Sequence, residues 1–294
     1  KGLNRMVKWT KIFLQGLVGQ GLVGYNTVKT MIDGLEAKSI KDYGEYFPNL
    51  SLIDNGKIEN QCVRVFEVKK NENNFLIMNG PQPRSDEISS LFLQKVIGDI
   101  DEMNEQNKID VYLSFGAYVT KNLSPYEIET DKKLPASELA DLVLKHELEK
   151  ERKLYIATSG FDFDKFTKIL GIPEQEVVKE SQGFISGLNG VLPAMIGERL
   201  NIPTATIMIE TTGTESSRSA NFPALAQYLG FLSTKRALQF LNKTFNFDLD
   251  IETRITKVLD EIKDSAKEEI ISYIEKDFQE DKRDTETDHR AMYV

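Results

Sequence analysis

Gly183-Phe184-Ile185-Ser186-Gly187-Leu188-Asn189-Gly190, then Val191 to Leu200, Asn201-Ile202-Pro203 and Thr204-Ala205-Thr206-Ile207-Met208-Ile209, is the stretch whose reading decides the fold class. Glycines at 183, 187 and 190 permit tight turning and close backbone approach. From Val191 to Leu200 the spacing places Leu192, Met195, Ile196 and Leu200 on one helical face. Pro203 bars continuation of that helix. The run Thr206 to Ile209 is short, apolar and partly β-branched, as a strand covered on both faces should be. Loop, helix and buried strand in succession describe one half of a parallel α/β unit. The strand ends in the polar turn Glu210-Thr211-Thr212-Gly213.

The rest of the chain repeats the alternation. Lys11 to Leu14 reads as a strand, followed by a glycine-rich turn from Gly16 to Gly24 and a helix from about Tyr25 to Leu35 with Val28, Met31, Ile32 and Leu35 inward. Gly19, Gly21 and Gly24 satisfy G-x-G-x-x-G. The aromatic, irregular segment Lys41 to Pro48 supplies no smooth second strand with a terminal acid, so close helix–sheet packing outranks a dinucleotide site. Leu50 to Ile53 and Val63 to Val68 flank Asp54-Asn55-Gly56 and predict an antiparallel hairpin. Phe75 to Met78 is a buried strand running into Gly80-Pro81-Gln82-Pro83. Ser85 is positioned as the N-cap of a helix reaching about Gln106, and Val111 to Phe115 is the next strand.

Ser124 to Pro135 reads as a polar, mobile surface loop. Ala136 to Lys153 reads as a helix with Leu139, Leu142, Val143 and Leu148 on one side and a solvated charged face from Lys145 to Lys153. Leu154 to Ala157 predicts a strand and Phe161 to Gly171 a short amphipathic helix. Ser216 to Asn242 and Ile251 to Phe278 predict further helices, the second packing on its own sheet in preference to another subunit. Gln279 to Arg290 has no apolar residue and predicts disorder, ending in Ala291-Met292-Tyr293-Val294. The expected organisation is an α/β core over 1–245, a helical segment over 246–280 and a flexible tail over 281–294.

Bulk composition narrows the function classes. A net charge of −9 over 294 residues argues against nucleic acid or an anionic membrane as partner. No apolar run approaches the roughly 20 residues of a membrane helix. Cys62 is the sole cysteine, which favours a reducing compartment, and glycines interrupt the apolar segment after Lys8, so no secretory leader is expected. A cytoplasmic protein follows. Chemistry-bearing residues are sparse: His146 lies in the charged helical stretch and His289 in the tail, with no Ser/His/Asp or Cys/His set and no metal-ligand spacing. Neither a metal nor a cofactor is expected. Gly16, Asn79, Gln82, Ser114, Gly116, Ser159, Ser186, Asn189, Glu210 and Thr211 are all expected at the carboxyl ends of strands, where α/β ligands bind.

The glycine turn after the first strand, Gly80-Pro81-Gln82-Pro83, and Gly187-Leu188-Asn189-Gly190 leading to Ile209-Glu210-Thr211 resemble, in order and spacing, the landmarks of the proteasome assembly chaperone family. The resemblance covers about residues 10 to 245. It implies a three-layer α/β/α sandwich related to nucleoside phosphorylases, here with additional C-terminal helices. It also implies a non-catalytic partner of the proteasome core particle, and its archaeal members point to an archaeal source. Met292-Tyr293-Val294 is similar to the hydrophobic–tyrosine–any-residue terminus that docks between α-subunits, with a carboxylate on Val294 pairing with a lysine. One such tip gains little after the ordering cost of its tether, so a homo-oligomer presenting several tails is implied. Gly16, Gly19, Gln82, Gly187, Asn189, Glu210 and Thr211 would then line a pocket inherited from an enzyme-like ancestor. The alternative is an enzyme of phosphorylase-like fold that binds a nucleoside or nucleotide.

Overall fold

Every residue of the strand Lys11–Leu17 (β1) is buried, and its side chains serve two cores. Ile12 and Leu14 join one hydrophobic cluster; Phe13 and Leu17 join the other. That alternation is the two-residue period of a strand covered on both faces. The structure, a computed structural model, describes residues 9–47, 51–54, 57–83, 85–123, 134–170, 172, 177–179, 185, 187–213 and 222–290.

The elements follow in order: β1, α1 (Val23–Leu35), β2 (Lys38–Asp42), β3 (Ser51–Asp54), β4 (Lys57–Asn60), β5 (Arg64–Lys70), β6 (Asn73–Gly80), α2 (Asp86–Gln106), β7 (Val111–Asn122), α3 (Ala136–Glu149), β8 (Leu154–Ser159), α4 (Phe163–Leu170), β9 (Val177–Lys179), α5 (Leu188–Leu200), β10 (Thr204–Gly213), α6 (Pro223–Phe245) and α7 (Ile251–Arg290). Eight strands form one sheet in the order β2-β5-β6-β1-β7-β10-β8-β9. The centre, β6-β1-β7-β10, is parallel throughout. β8 runs antiparallel to β10, and β2 and β5 extend the other edge antiparallel.

Residues of α2 and α5 pack against one face, where Phe92, Val96 and Ile100 meet Leu192 and Ile196. Residues of α1, α3, α4, α6 and α7 pack against the other, among them Val28, Met31, Val143, Phe166, Leu238 and Ile270. This is a three-layer α/β/α sandwich on a mostly parallel sheet. Among the described residues no helix is long and apolar enough to cross a membrane.

Several expectations shift in detail. The helix of the opening stretch starts at Leu188, not Val191. Ser85 does cap α2, its hydroxyl accepting from the Ile88 N–H at 3.3 Å. The predicted hairpin forms, but β3 pairs with β4, while Arg64 to Val68 of the expected second strand belongs to β5 in the main sheet. α3 ends at Glu149, and its buried stripe is Leu139, Ala140, Val143, Leu144 and Glu147. That stripe follows 3.6 residues per turn and leaves Leu142 and Leu148 exposed. The charged stretch after Lys145 is not wholly solvated, because Glu147 and Arg152 are buried as an ion pair at 3.0 Å.

Ile255, Leu259, Ala266, Ile270 and Ile274 bury α7 on its own domain. The helix also runs to Arg290, through the polar segment read as disordered. From Ile251 to Arg290 the sequence holds neither glycine nor proline, so nothing interrupts the backbone ladder. Most of the Ser124 to Pro135 loop, Ser186 and Met292-Tyr293-Val294 lie outside the described residues.

Candidate functional site

The chain reverses its direction of travel across the sheet at β1: β6 lies on one side of it and β7 on the other. A crevice outside the carboxyl ends of the strands at such a point is where open α/β sheets take ligands. Here it holds a cleft of about 450 Å³ whose described lining includes Gly19, Gln82, Gly116, Tyr118, Gly187, Asn189, Thr206 and Met208. Ser114, Gly116 and Tyr118 alternate along β7 toward the α5 face, and Thr206 and Met208 do so along β10. They make the floor, with Met208 paired to Gly116 in the ladder.

Asn189, in the first turn of α5, organises the wall. Its Oδ1 accepts from Gln15 Nε2 and from the Leu17 N–H, both at 3.0 Å, and its Nδ2 donates to the Leu17 carbonyl at 3.0 Å. The Asn189 carbonyl accepts from the Ser114 hydroxyl at 2.7 Å. Gln15 donates also to the Leu188 carbonyl at 2.9 Å and accepts from the Tyr112 hydroxyl. One buried amide thus fastens the start of α5 to the end of β1, and its three side-chain bonds are satisfied within the fold. Gln82 Nε2 donates to the Val18 carbonyl at 2.5 Å and closes the opposite wall. Asn79 donates to the carbonyls of Gly16 and Tyr25 at 2.9 and 3.0 Å, tying β6 to the glycine turn.

Of the G-x-G-x-x-G pattern, Gly21 and Gly24 serve packing, while Gly19 is exposed in the cleft lining. A Cβ on Gly24 would lie 2.2 Å from the Phe115 carbonyl oxygen, so α1 meets β7 backbone to side-chain-free backbone. Gly230 of α6 meets Gly21 in the same way, its would-be Cβ 2.0 Å from the Gly21 oxygen.

The structure brings together Gly19, Gln82, Gly187 and Asn189 around the cleft. Gly16 lies within β1, where a Cβ would meet the Gly24 carbonyl oxygen at 2.0 Å. Glu210 and Thr211 are not in the described lining. Glu210 instead pairs with Lys150 at 3.1 Å and accepts from the Lys153 N–H at 3.2 Å and the Thr120 hydroxyl at 3.1 Å. Burial pushes its carboxyl up, but the bonds from Lys150, Lys153 and Thr120 outweigh that and hold it below the usual glutamate value. It is a carboxylate fixed in a junction between β7, β8 and β10. Thr211 is buried. Ser159 falls at the opposite edge, beside Thr204 at the start of β10, because β8 runs antiparallel to β10.

Thr206, Met208, Tyr118, Val119 and Ile185 line the cleft without having been singled out in the sequence. The signal for Tyr118 and Val119 was the length of β7, which the apolar run to Phe115 understated. Tyr118 is the one ionisable side chain in the described lining, and it stacks on Tyr155 at 4.3 Å between centroids. Groups of three or more His, Cys, Asp or Glu able to hold a metal are absent among the described residues. The described lining offers hydrogen bonds and apolar contact, not a proton-transfer pair.

No curated protein sequence matches this chain. Among solved structures, Pyrococcus furiosus PbaB, an archaeal proteasome activator, is 19% identical with a TM-score of 0.62 over 92% of this chain and 96% of that one. Pyrococcus furiosus PbaA, an archaeal homolog of proteasome-assembly chaperone, is 18% identical with a TM-score of 0.54 over 98% of each chain. A Mycobacterium tuberculosis proteasome-assembly chaperone homologue is 13% identical with a TM-score of 0.56 over 86% of this chain and 94% of that one. At these identities the likeness shows the shared fold. The PAC2 family model matches residues 13–270, spanning the sheet, both helical layers and most of the buried part of α7; the chain belongs to the PAC2 family.

Proposed function

We propose that this protein is a non-catalytic proteasome assembly chaperone or activator homologue. It docks Met292-Tyr293-Val294 into pockets between α-subunits of the proteasome core particle. The family match over residues 13–270 carries the reading, and the fold it shares end to end with an archaeal proteasome activator supports it. The described cleft, with Tyr118 as its one ionisable side chain, supports a binding role over catalysis.

In this reading α7 is the tether. Its apolar stripe, through Ile274, fixes it to the sandwich, and Gln279 to Arg290 offer no apolar side chain for further packing. Met292 would fill its pocket with a flexible thioether chain, and Tyr293 would bury its ring while the hydroxyl keeps a polar partner. A single such tip binds weakly. A homo-oligomer presenting several raises avidity by about two to four orders of magnitude. The protein then acts in the cytoplasm, beside its partner.

Deletion of Met292 to Val294 tests the reading. Binding to archaeal core particles should be lost while light scattering reports an unchanged assembly. Adding two residues after Val294 should have the same effect, because docking requires a free carboxylate there. Undiminished binding by both variants removes the tail from the mechanism.

A further inference from the structure

The cleft above β1, β7 and β10 has a feature that packing does not account for. Gly24 and Gly230 are glycines because a Cβ would strike backbone, and Gly21 because its φ of +60° is left-handed. Gly116, in the middle of the central strand β7, is different: a Cβ there would meet no described atom within 4 Å. Its face of the strand looks into the cleft, with Met208 beside it in the ladder and Tyr118 two residues on. A glycine in a strand interior costs backbone entropy and forgoes a packing contact, and such a position marks a place where something else approaches closely.

We infer that this slot is a binding site for a small, uncharged heteroaromatic molecule, seated over Gly116 between Met208 and Tyr118. Size fits: about 450 Å³ falls within the roughly 300–1,000 Å³ usual for small-molecule sites. The chemistry of the wall fits as well. A thioether and an aromatic ring present polarisable surface to the faces of a flat ring. Thr206, whose hydroxyl donates to the Asn189 carbonyl at 3.5 Å, and Gln82, whose Nε2 is given to Val18, both line the cleft, leaving the Gln82 carboxamide oxygen as an acceptor for a polar group on the edge of that ring. Glu210 and Lys150 neutralise one another outside the described lining, which contains no lysine, arginine, histidine or carboxylate. A charged ligand would lose its hydration there without gaining a counter-charge.

The site is independent of the docking reading and is tested on the full-length protein by thermal denaturation. Nicotinamide and adenine serve as uncharged probes, and nicotinate as the charged isostere of the first. At about a hundredfold excess over Kd, nicotinamide or adenine should raise Tm by about 5 °C, and nicotinate should not. Gly116→Val fills the slot at a position with room for it. It should leave the unliganded Tm within about 2 °C and abolish the rise; should Gly116→Val not fold, Gly116→Ala should at least halve it. No rise with either uncharged probe up to its solubility limit overturns the inference. So does an equal rise with nicotinate, or a rise retained in the glycine variants.

Discussion

Glu147 and Arg152 face one another at 3.0 Å with side chains only 3% and 4% exposed, in a stretch whose composition reads as a solvated surface. Arg152 also donates to the carbonyls of Glu147 and Lys150, and Glu147 accepts from the Thr212 hydroxyl at 2.9 Å. The pair therefore locks the end of α3 to the start of β8 and the end of β10. Breaking it from one side leaves a buried charge unpaired, so Glu147→Gln should lower unfolding free energy by about 3–5 kcal/mol. Urea denaturation of that variant beside Leu148→Ala, an exposed neighbour expected within about 0.5 kcal/mol of wild type, checks the contrast.

The glycines divide by what surrounds them. Gly24→Ala would place a methyl 2.2 Å from the Phe115 carbonyl oxygen and should cost several kcal/mol or abolish folding. Gly98 lies exposed within α2, where a Cβ meets nothing described within 4 Å. Gly98→Ala should stabilise by about 0.5–1 kcal/mol, since alanine loses less backbone entropy in a helix. Circular dichroism melts of both variants read the two signs directly.

Asn189 should tolerate no ordinary replacement. Asn189→Ala removes the side-chain partner of the Leu17 N–H and carbonyl, each costing about 1–3 kcal/mol when left buried and unpaired, and takes one of the two bonds of the Gln15 amide nitrogen. Asn189→Asp keeps the acceptor but sets a carboxylate oxygen against the Leu17 carbonyl. It should melt lower than wild type at neutral pH, with the gap narrowing on acidification as the carboxyl gains a proton. A gap that stays constant with pH would place the defect elsewhere.

Acid should weaken the protein through Glu210. Its folded value lies below the unfolded 4.5, so the unfolded chain binds the proton first as pH falls. The stability it contributes is complete above that unfolded value and is lost as pH falls through the folded one. Asp99, buried and held low against the pull of burial by Lys41 and Lys95, acts in the same direction below its unfolded 3.8. Tm measured from pH 6 to pH 3 should therefore decline, and Glu210→Gln should flatten the upper part of that decline. A variant that tracks wild type across the range would refute Glu210's share.

The sandwich was legible because its signals are local. The apolar runs at Lys11 to Leu14, Phe75 to Met78, Val111 to Phe115 and Thr206 to Ile209 are the four parallel strands of the centre, and Ser85 announces α2 through its own hydroxyl. The edges were less legible. Nothing within Leu154 to Ser159 states that it pairs antiparallel to β10, and this pairing carries Ser159 away from the cleft. The pattern around Asp54 to Gly56 indicates a hairpin but does not say which downstream run closes it.

At the site, residue types were readable and their company was not. Glycine and asparagine at 187 and 189 mark a turn into a helix. That Asn189 spends its amide on Gln15 and Leu17, that Glu210 is bound to Lys150, and that Gly116 opens on space while Gly24 touches a carbonyl depend on contacts between segments roughly 60 to 170 residues apart. Periodicity reports which side of an element is apolar; only the packed sheet determines what stands opposite, because burial and hydrogen-bond satisfaction are properties of the assembled neighbours.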